Sequence, residues 1–147
     1  MRKKKKKKMN YKIVAKYIKD LKFEIPNPKT FFLLEKDIAS YKVKIDIKSN
    51  QFKEKIIEVE TTLALDTSRE DLDKINTKII YSTLIEIDGT IKEKKQLEEI
   101  ILVKVPTEVF SEIRNLFILL FERSGFNQIK IDKNINFREL YEKRSIQ

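Results

Sequence analysis

The chain has 147 residues, of which 37% are charged and 41% hydrophobic, and its formal net charge is +9. It contains no cysteine and no histidine, which excludes disulfides, thiolate and imidazole metal sites and the commonest catalytic base. It also lacks a glycine-rich phosphate loop, a G-x-S-x-G elbow and a spaced acidic metal cluster. Carboxylate chemistry and serine or lysine chemistry are not excluded in principle, but these absences favour a protein that is not an enzyme.

The positive charge is concentrated at the amino terminus. Seven of the 32 basic residues lie between positions 2 and 8, so the rest of the chain sets 25 basic residues against 23 acidic ones. Because like charges in a run repel each other, residues 1–10 are predicted to be a disordered basic tail and residues 11–147 a single domain. We expect Met9 to be the natural start of the protein. The tail is the one feature of the sequence that favours a nucleic-acid-binding module. The contacts that such a tail makes with nucleic acid are nonspecific and sensitive to salt.

The longest apolar run of the sequence is 116–121. This run is far shorter than the segment that a bilayer requires, and lysines interrupt the residues after Met9. The sequence therefore predicts no membrane insertion and a cytoplasmic location.

The first predicted element is a strand from about Tyr11 to Ile25. Its odd positions predict one buried face; they are Tyr11, Ile13, Ala15, Tyr17, Leu21, Phe23 and Ile25. Lys19 interrupts this pattern, which indicates a bulge or a kink. Asp20 and Glu24 then share the outward face, and Pro26 and Pro28 end the strand.

Residues 30–41 follow neither a helical nor a strand period, so the sequence predicts a long crossover loop there. Three further strands are predicted by clear alternation around residues 43–47, 57–65 and 77–87. Residues 49–51 are predicted to form the turn between the first two of these, and residues 67–74 the next loop. Four consecutive strands with short connections predict an antiparallel sheet.

The carboxyl-terminal third is predicted to be helical. Residues 96–105 indicate a short helix or an irregular lead-in, Pro106 restarts the chain, and a long helix follows from 107 to 124 with Gly125 as its stop. The second half of this helix is apolar almost all round, so Phe117, Ile118 and Phe121 are predicted to lie at an oligomer interface.

A short helix is predicted at about Phe137 to Arg144, with Asn136 as its cap and Glu139 closing a capping box. The fold class is therefore α+β, in which a four-stranded antiparallel sheet packs with one long and one short carboxyl-terminal helix.

Three motifs, in order and spacing, resemble the SecB family of bacterial export chaperones. They are Y-I-K-D-L-K-F-E-I-P-N-P at 17–28, V-P-T-E-V-F-S-E-I-R at 105–114, and the segment from G-F to N-F-R-E-L-Y at 125–141. Val105 stands where the family has cysteine, and Ser111 where it has an inner proline. The resemblance covers the chain from about Tyr11 to Tyr141.

The resemblance implies an ATP-independent holdase that binds unfolded preproteins in apolar surface grooves and passes them to the translocase motor SecA. It also implies a homotetramer built as a dimer of dimers, with no metal or other cofactor. Phe31, Phe32 and Ile38 are expected to line the preprotein groove, although Ile38 stands near a position where the family often has tryptophan. An alternative within the same family is a chaperone dedicated to one client, such as the antitoxin of a toxin–antitoxin pair.

The resemblance further implies a SecA-binding surface on the sheet. Asp20 and Glu24 match acidic positions of the family, and the family's further acidic contact falls at Leu84, with Glu86 on the same face. These four residues are the expected SecA-binding residues. Leu84 departs from the family pattern because it carries no charge, and the overall basic balance of the chain departs from the acidic balance of typical members.

Overall fold

The computed structural model describes residues 10–37, 42–65, 76–89, 91–126, 129, 131 and 134–146. Four strands form one antiparallel sheet: β1 (Tyr11–Glu24), β2 (Val43–Lys53), β3 (Ile56–Leu65) and β4 (Asn76–Ile87). Their order is β1-β4-β3-β2, so β1 and β2 are the edge strands. The predicted four-stranded antiparallel sheet is confirmed. The basic tail up to Met9, Ile38 and the loop predicted at 67–74 lie outside the described residues.

The sheet has a covered and an open face. On β3, Ile57, Val59, Thr61, Leu63 and Leu65 are buried, whereas the residues between them are half-buried. We call the face of the buried residues the inner face and the opposite one the outer face. The strict alternation of β3 and β4 is the pattern from which the sequence predicted these strands.

Two irregularities in β1 change which residues point inward. The register shifts between Ile18 and Asp20, which confirms the predicted bulge at Lys19, and also between Ile13 and Ala15. Each extra residue moves the side-chain alternation by one position, so the segment between the two shifts is inverted. Ala15 and Tyr17 therefore lie on the outer face, and the prediction that they share the buried face is wrong.

The turn between β2 and β3 lies at Glu54 and Lys55, not at residues 49–51 as predicted. β2 continues to Lys53, which pairs with Ile56, and Lys55 takes a positive φ of 70° in the turn. The polar residues 49–51 are exposed on an edge strand, where turn-forming side chains are tolerated because one side of the strand is open to solvent. Their composition therefore misled the prediction.

A helix, α1 (Pro28–Asp37), replaces the predicted crossover loop. The side chain of Asn27 accepts the backbone N–H of Thr30 at 2.8 Å, and its carbonyl accepts that of Phe31 at 3.1 Å. Asn27 is thus an amino-terminal cap with proline at the first helical position, a favoured combination. Thr30 and Leu34 are buried four residues apart. An asparagine–proline pair is compatible both with the end of a strand and with the start of a helix, and here it does both, so the predicted loop is wrong.

The long helix is continuous through three segments: α2 (Lys94–Glu99), a π-helical turn (Ile100–Lys104) and α3 (Val105–Glu122). Pro106 does not restart the chain as predicted. In a regular α-helix its ring would clash with the carbonyl of Leu102. The wider turn lies just before it, with Val105 N–H donating to the carbonyl of Ile100. The hydroxyl of Thr107 donates to the carbonyl of Val103 at 2.6 Å.

The predicted stop at Gly125 is confirmed. Gly125 has a φ of 93° and donates its N–H to the carbonyl of Glu122, while Phe126 donates to Phe121 at 2.9 Å. These are the two hydrogen bonds of the Schellman motif, which favours glycine because only glycine adopts this φ without strain. The chain then reaches α4 (Phe137–Ile146), where the side chain of Asn136 accepts the N–H of Glu139 at 3.0 Å, as predicted for the cap.

The core lies between α3 and the inner face of the sheet. Its larger cluster is built by Leu34, Leu63, Leu65, Ile79, Val103, Val109, Phe110, Ile113, Phe117, Phe121, Phe126, Ile131 and Phe137. A second cluster joins the π-helical turn to the start of β1 and includes Tyr11, Ile57 and Ile100. The predicted fold class is confirmed, with α1 as an additional helix. None of the described helices is long and apolar enough to span a membrane.

Candidate docking and client-binding surfaces

All four residues predicted to bind SecA lie on the outer face. Asp20 pairs with Ile80, Glu24 pairs with Asn76, and both Leu84 and Glu86 lie on β4. Glu24 lies level with Asn76 of β4, and Glu86 lies ten residues further along that strand. Ten residues span roughly 33 Å at about 3.3 Å per residue. The four positions therefore form a line along the sheet and not one compact patch.

Lysines are interspersed with the carboxylates on this face. The register and the ion pairs place there the carboxylates Asp20, Glu24, Asp46, Glu58, Glu60 and Glu86, and the lysines Lys12, Lys19, Lys22, Lys44, Lys48 and Lys78. The face is consequently close to charge balance. This differs from the acidic patch that the family resemblance implied, and it follows from the lysines that β1, β2 and β4 place among the carboxylates.

Glu58 is the centre of a hydrogen-bond network that the sequence did not indicate. Its carboxylate accepts hydrogen bonds from Ser82 Oγ at 2.7 Å, Tyr17 OH at 2.8 Å, Lys19 Nζ at 3.1 Å and Asn50 Nδ2 at 3.3 Å. The hydrogen bond from Ser82, followed by those from Tyr17 and the other donors, lowers the pKa of Glu58 to about 2 against the opposing effect of burial. The carboxylate is therefore held ionised.

This network depends on the two bulges of β1. Without the phase inversion, Tyr17 would point to the inner face, and Lys19 reaches Glu58 and Glu60 from the bulge itself. Because bulge positions depend on strand pairing, alternation along one strand could not have predicted which donors meet Glu58.

An apolar groove lies beside the free edge of β2. Among the described residues, β2 pairs only with β3. A cavity of about 350 Å³ is lined by Ile45, Asp46, Ile47, Leu102, Leu140 and Tyr141. A neighbouring cavity of about 630 Å³ is lined by Glu93, Lys95, Gln96, Glu99, Arg138, Tyr141 and Glu142. Tyr141 borders both, so we treat them as one surface and call it the β2–α4 groove.

Polar contacts hold α4 against α2 and so fix one wall of the groove. The hydroxyl of Tyr141 donates to Glu98 at 3.1 Å, and Arg138 forms an ion pair with Glu99. Leu140 remains 45% exposed between them. An apolar side chain kept half-exposed beside an open strand edge is a feature of surfaces that bind other chains.

The residues predicted for the preprotein groove lie elsewhere. Phe31 is half-buried and packs on Phe126 with ring centroids 4.8 Å apart, whereas Phe32 beside it is 64% exposed. Neither lines the β2–α4 groove, and Ile38 lies outside the described residues. Of the two described members of the predicted set, Phe32 is thus the one that offers more apolar surface. Leu140 and Tyr141, which line the β2–α4 groove, are not among the residues predicted from the sequence, because the pattern of the final helix indicates its cap but not what the helix packs against.

Of the three residues predicted to lie at an oligomer interface, two are buried and one is half-buried. Phe117 and Phe121 are fully buried within their own chain, where they pack on each other with centroids 5.2 Å apart. They are core residues of the protomer and offer no surface to a partner. Ile118 is half-buried and the adjacent Leu119 is 45% exposed, so these positions carry the exposed apolar surface of α3.

A second exposed apolar surface follows the edge strand β1. Its members are Val14, Tyr17, Ile18 and Leu21, each between 38% and 47% exposed. Exposed apolar side chains along an unpaired strand edge would favour unwanted pairing in an isolated protein. This stretch is therefore a candidate surface for association with another copy of the chain.

Comparison with known proteins shows the family. The model of the family described as "Preprotein translocase subunit SecB" matches residues 4–147. A relative from Pelagibacter ubique (strain HTCC1062), whose name assigns it to SecB-type protein export, is 38% identical over 136 residues, covering 92% of this chain and 97% of the relative. The protein-export protein SecB of Burkholderia lata is 28% identical over 137 residues, covering 93% of this chain and 83% of that protein.

A solved structure shares the fold. It is the Mycobacterium tuberculosis SecB-like chaperone in complex with a ChAD peptide from the HigA1 antitoxin. The TM-score is 0.60 at 10% identity, and the match covers 86% of this chain and 88% of the other. Together with the sheet, the helices and the motifs described above, these matches show that the chain belongs to the SecB family of protein-export chaperones.

Proposed function

We propose that the protein is an ATP-independent holdase that binds unfolded preproteins and delivers them to SecA. The observation that carries this proposal is the β2–α4 groove, in which half-exposed apolar side chains lie beside an open strand edge. An unfolded chain offers apolar side chains and unpaired backbone groups. A groove with apolar walls beside an open strand edge can bind both without recognising a particular sequence.

The apolar members of the groove come from three elements. Ile45 and Ile47 lie on β2, Leu102 on the π-helical turn, and Leu140 on α4. Cavities of a few hundred cubic ångströms accept individual large side chains, while the edge of β2 can accept the backbone of an extended segment. We place client binding here, with the exposed Phe32 as a separate apolar contact.

We further propose that the protein acts as a homotetramer. The exposed apolar stretch of β1 and the surface at Ile118 and Leu119 support this, since both are uncovered in the single chain. Two different uncovered surfaces allow two kinds of contact, as a dimer of dimers requires.

Reversing the charge of Asp20 and Glu24 together should abolish SecA binding and leave client binding intact. Both carboxylates lie on the outer face, whereas the groove lies at the β2 edge, so Asp20→Lys with Glu24→Lys should affect only the former. Isothermal titration with SecA and fluorescence binding of an unfolded preprotein measure the two affinities.

A matched control is Glu35→Lys with Glu122→Lys. It makes the same change in net charge at exposed helical positions away from the outer face. It should bind SecA within about twofold of the unaltered protein, since exposed charges away from a contact contribute little. If the Asp20 and Glu24 variant binds SecA as tightly as this control, the docking surface is wrongly assigned.

A chaperone dedicated to one client, such as an antitoxin, is the second candidate. The observation that favours it is the shared fold with a SecB-like chaperone solved with an antitoxin peptide. Titrating several unrelated unfolded exported proteins decides between the two, because a general holdase binds all of them with similar affinity and a dedicated chaperone binds one.

A further inference from the structure

The π-helical turn brings two buried side chains to the same side of the long helix. Its hydrogen bond runs from Val105 N–H to the carbonyl of Ile100, five residues earlier. Val105 is 0% and Ile100 1% exposed, and both pack with Ile57 of β3 in the second core cluster. In a regular α-helix five residues turn through about 500°, so these two side chains would lie about 140° apart. The wide turn therefore changes which residues of the helix face the sheet.

The turn also sets the orientation of α2, which precedes it. One extra residue in a turn displaces the preceding residues by about 100° around the helix axis. The face of α2 that meets α4 carries Glu98, which accepts a hydrogen bond from Tyr141, and Glu99, which pairs with Arg138. If α2 continued from α3 as a regular helix, these two carboxylates would turn away from α4.

The same turn places Leu102 in the β2–α4 groove. Leu102 is half-buried and lines the cavity of about 350 Å³ beside β2. In a regular α-helix it would lie about 60° from Val105, three residues later, and so close to the buried side of the helix. The π-helical turn contacts both β2 and α4. Its conformation therefore determines the wall of the groove between these two elements.

Pro106 is the residue that favours the wide turn over a regular one. It is buried just after the turn, it has no N–H to donate, and in a regular helix its ring would clash with the carbonyl of Leu102. The neighbouring Thr107 donates its hydroxyl to the carbonyl of Val103 within the turn. Single π-helical turns inside α-helices are frequent at functional sites.

We propose that Pro106 is a positioning residue for the β2–α4 groove, because it holds the π-helical turn that orients Leu102 and α2. The inference rests on the proposed binding of clients in this groove. Pro106 is not among the residues that line either cavity of the groove. It acts through the position of the turn and not by contact with the client.

Pro106→Ala should weaken the binding of an unfolded exported protein about tenfold, which corresponds to about 1.4 kcal/mol. Alanine permits a regular α-helix, so α2 would rotate and Leu102 would leave the cavity. Burial against one large apolar side chain contributes an effect of this size. Fluorescence anisotropy of a labelled, unfolded exported protein from the same organism measures the affinity, and circular dichroism reports whether each variant is folded.

Deleting Lys104 from the Pro106→Ala variant tests orientation directly. Lys104 is an exposed residue of the turn. Because the π-helical turn contains one residue more than a regular turn, a regular helix that is one residue shorter brings α2 back to its present orientation. Client binding should therefore recover most of the loss. A general loss of helix stability would not be repaired by removing a residue.

Pro28→Ala is the matched control. It makes the same chemical change at the exposed first position of α1, away from the groove. Proline at the first position of a helix blocks no hydrogen bond of that helix, so this variant should bind the client as the unaltered protein does.

The outcomes distinguish this inference from the proposed function beneath it. If the unaltered protein does not bind the client, the proposed function fails and this inference fails with it. If the unaltered protein binds, equal binding by Pro106→Ala overturns only the role of Pro106, as would equal losses in Pro106→Ala and Pro28→Ala. Recovery of binding on deletion of Lys104 supports the role whether or not Pro106→Ala alone is folded, and the absence of recovery overturns it.

Discussion

Replacing Phe121 by alanine is expected to lower the free energy of unfolding by about 3–5 kcal/mol, the range for truncating a buried phenylalanine. Phe121 is fully buried, and its ring centroid lies 5.1 Å from that of Phe23, 5.2 Å from Phe117 and 5.9 Å from Phe126. The substitution would leave a cavity where β1, α3 and the end of the Schellman motif meet. Urea denaturation at fixed protein concentration measures the loss, since the stability of a protein that assembles depends on its concentration.

Leu119→Ala is the matched control for this prediction. Leu119 lies two positions before Phe121 on α3 but is 45% exposed, so its truncation should cost less than about 1 kcal/mol. Equal losses in the two variants would contradict the packing of Phe121 within its own chain. They would favour the interface that the sequence predicted for this residue.

Glu58→Gln is expected to lower the free energy of unfolding by about 2–3 kcal/mol at neutral pH. The carboxylate is nearly buried, with its side chain 13% exposed, and its pKa falls from 4.5 to about 2 because Ser82, Tyr17 and its other donors stabilise the ionised form. One pKa unit corresponds to about 1.4 kcal/mol, and the network retains partial hydrogen bonding to glutamine.

The pH dependence of this difference has a definite sign. A carboxyl with a lowered folded-state pKa stabilises the protein above its unfolded-state pKa, and the contribution is lost as the pH falls through the folded-state value. The stability gap between the unaltered protein and Glu58→Gln should therefore be complete above about pH 5 and close between pH 4.5 and about 2. Urea denaturation at several pH values measures it.

Glu86→Gln provides the comparison, because Glu86 is an exposed carboxylate on the same face. Its substitution should change stability by less than about 0.5 kcal/mol at any of these pH values. A gap for Glu58→Gln that stays constant with pH would show that Glu58 contributes through packing and not through its charge.

Residue alternation was sufficient to predict the sheet, because β3 and β4 are central strands that bury one face each. The position of Lys19 in an apolar phase also predicted its bulge. What alternation could not reveal is the second shift after Ile13. Ile13, Ala15 and Tyr17 keep the same apolar phase in sequence, but the pairing leaves Ile13 on the inner face and turns Ala15 and Tyr17 to the outer face. The partners of Glu58 follow from this inversion and so were missed.

The helices show the same division between local and tertiary information. Gly125 and Asn136 act through hydrogen bonds to residues a few positions away, and both were predicted. Phe121 is buried among rings from other parts of its own chain, Phe23 and Phe126, and Phe117 packs on Phe121. An apolar helix does not reveal whether its own chain or another copy covers it.

The β2–α4 groove required the three-dimensional arrangement. Ile45, Leu102 and Leu140 are far apart in sequence. They meet because the π-helical turn contacts β2 and α4 docks on that turn and on α2. Sequence similarity to the family drew attention to Phe31 and Phe32, which α1 places at a different surface.

The holdase function is tested most directly by asking whether the purified protein prevents the aggregation of an unfolded exported protein without ATP, and whether the β2–α4 groove is responsible. Light scattering after dilution of the client from denaturant measures this. The unaltered protein and Phe52→Lys, an exposed position outside the groove, should suppress scattering at near-stoichiometric amounts, and Leu140→Lys should suppress it clearly less. Scattering that rises equally fast with and without the unaltered protein would contradict the holdase function, and full suppression by Leu140→Lys would contradict the groove.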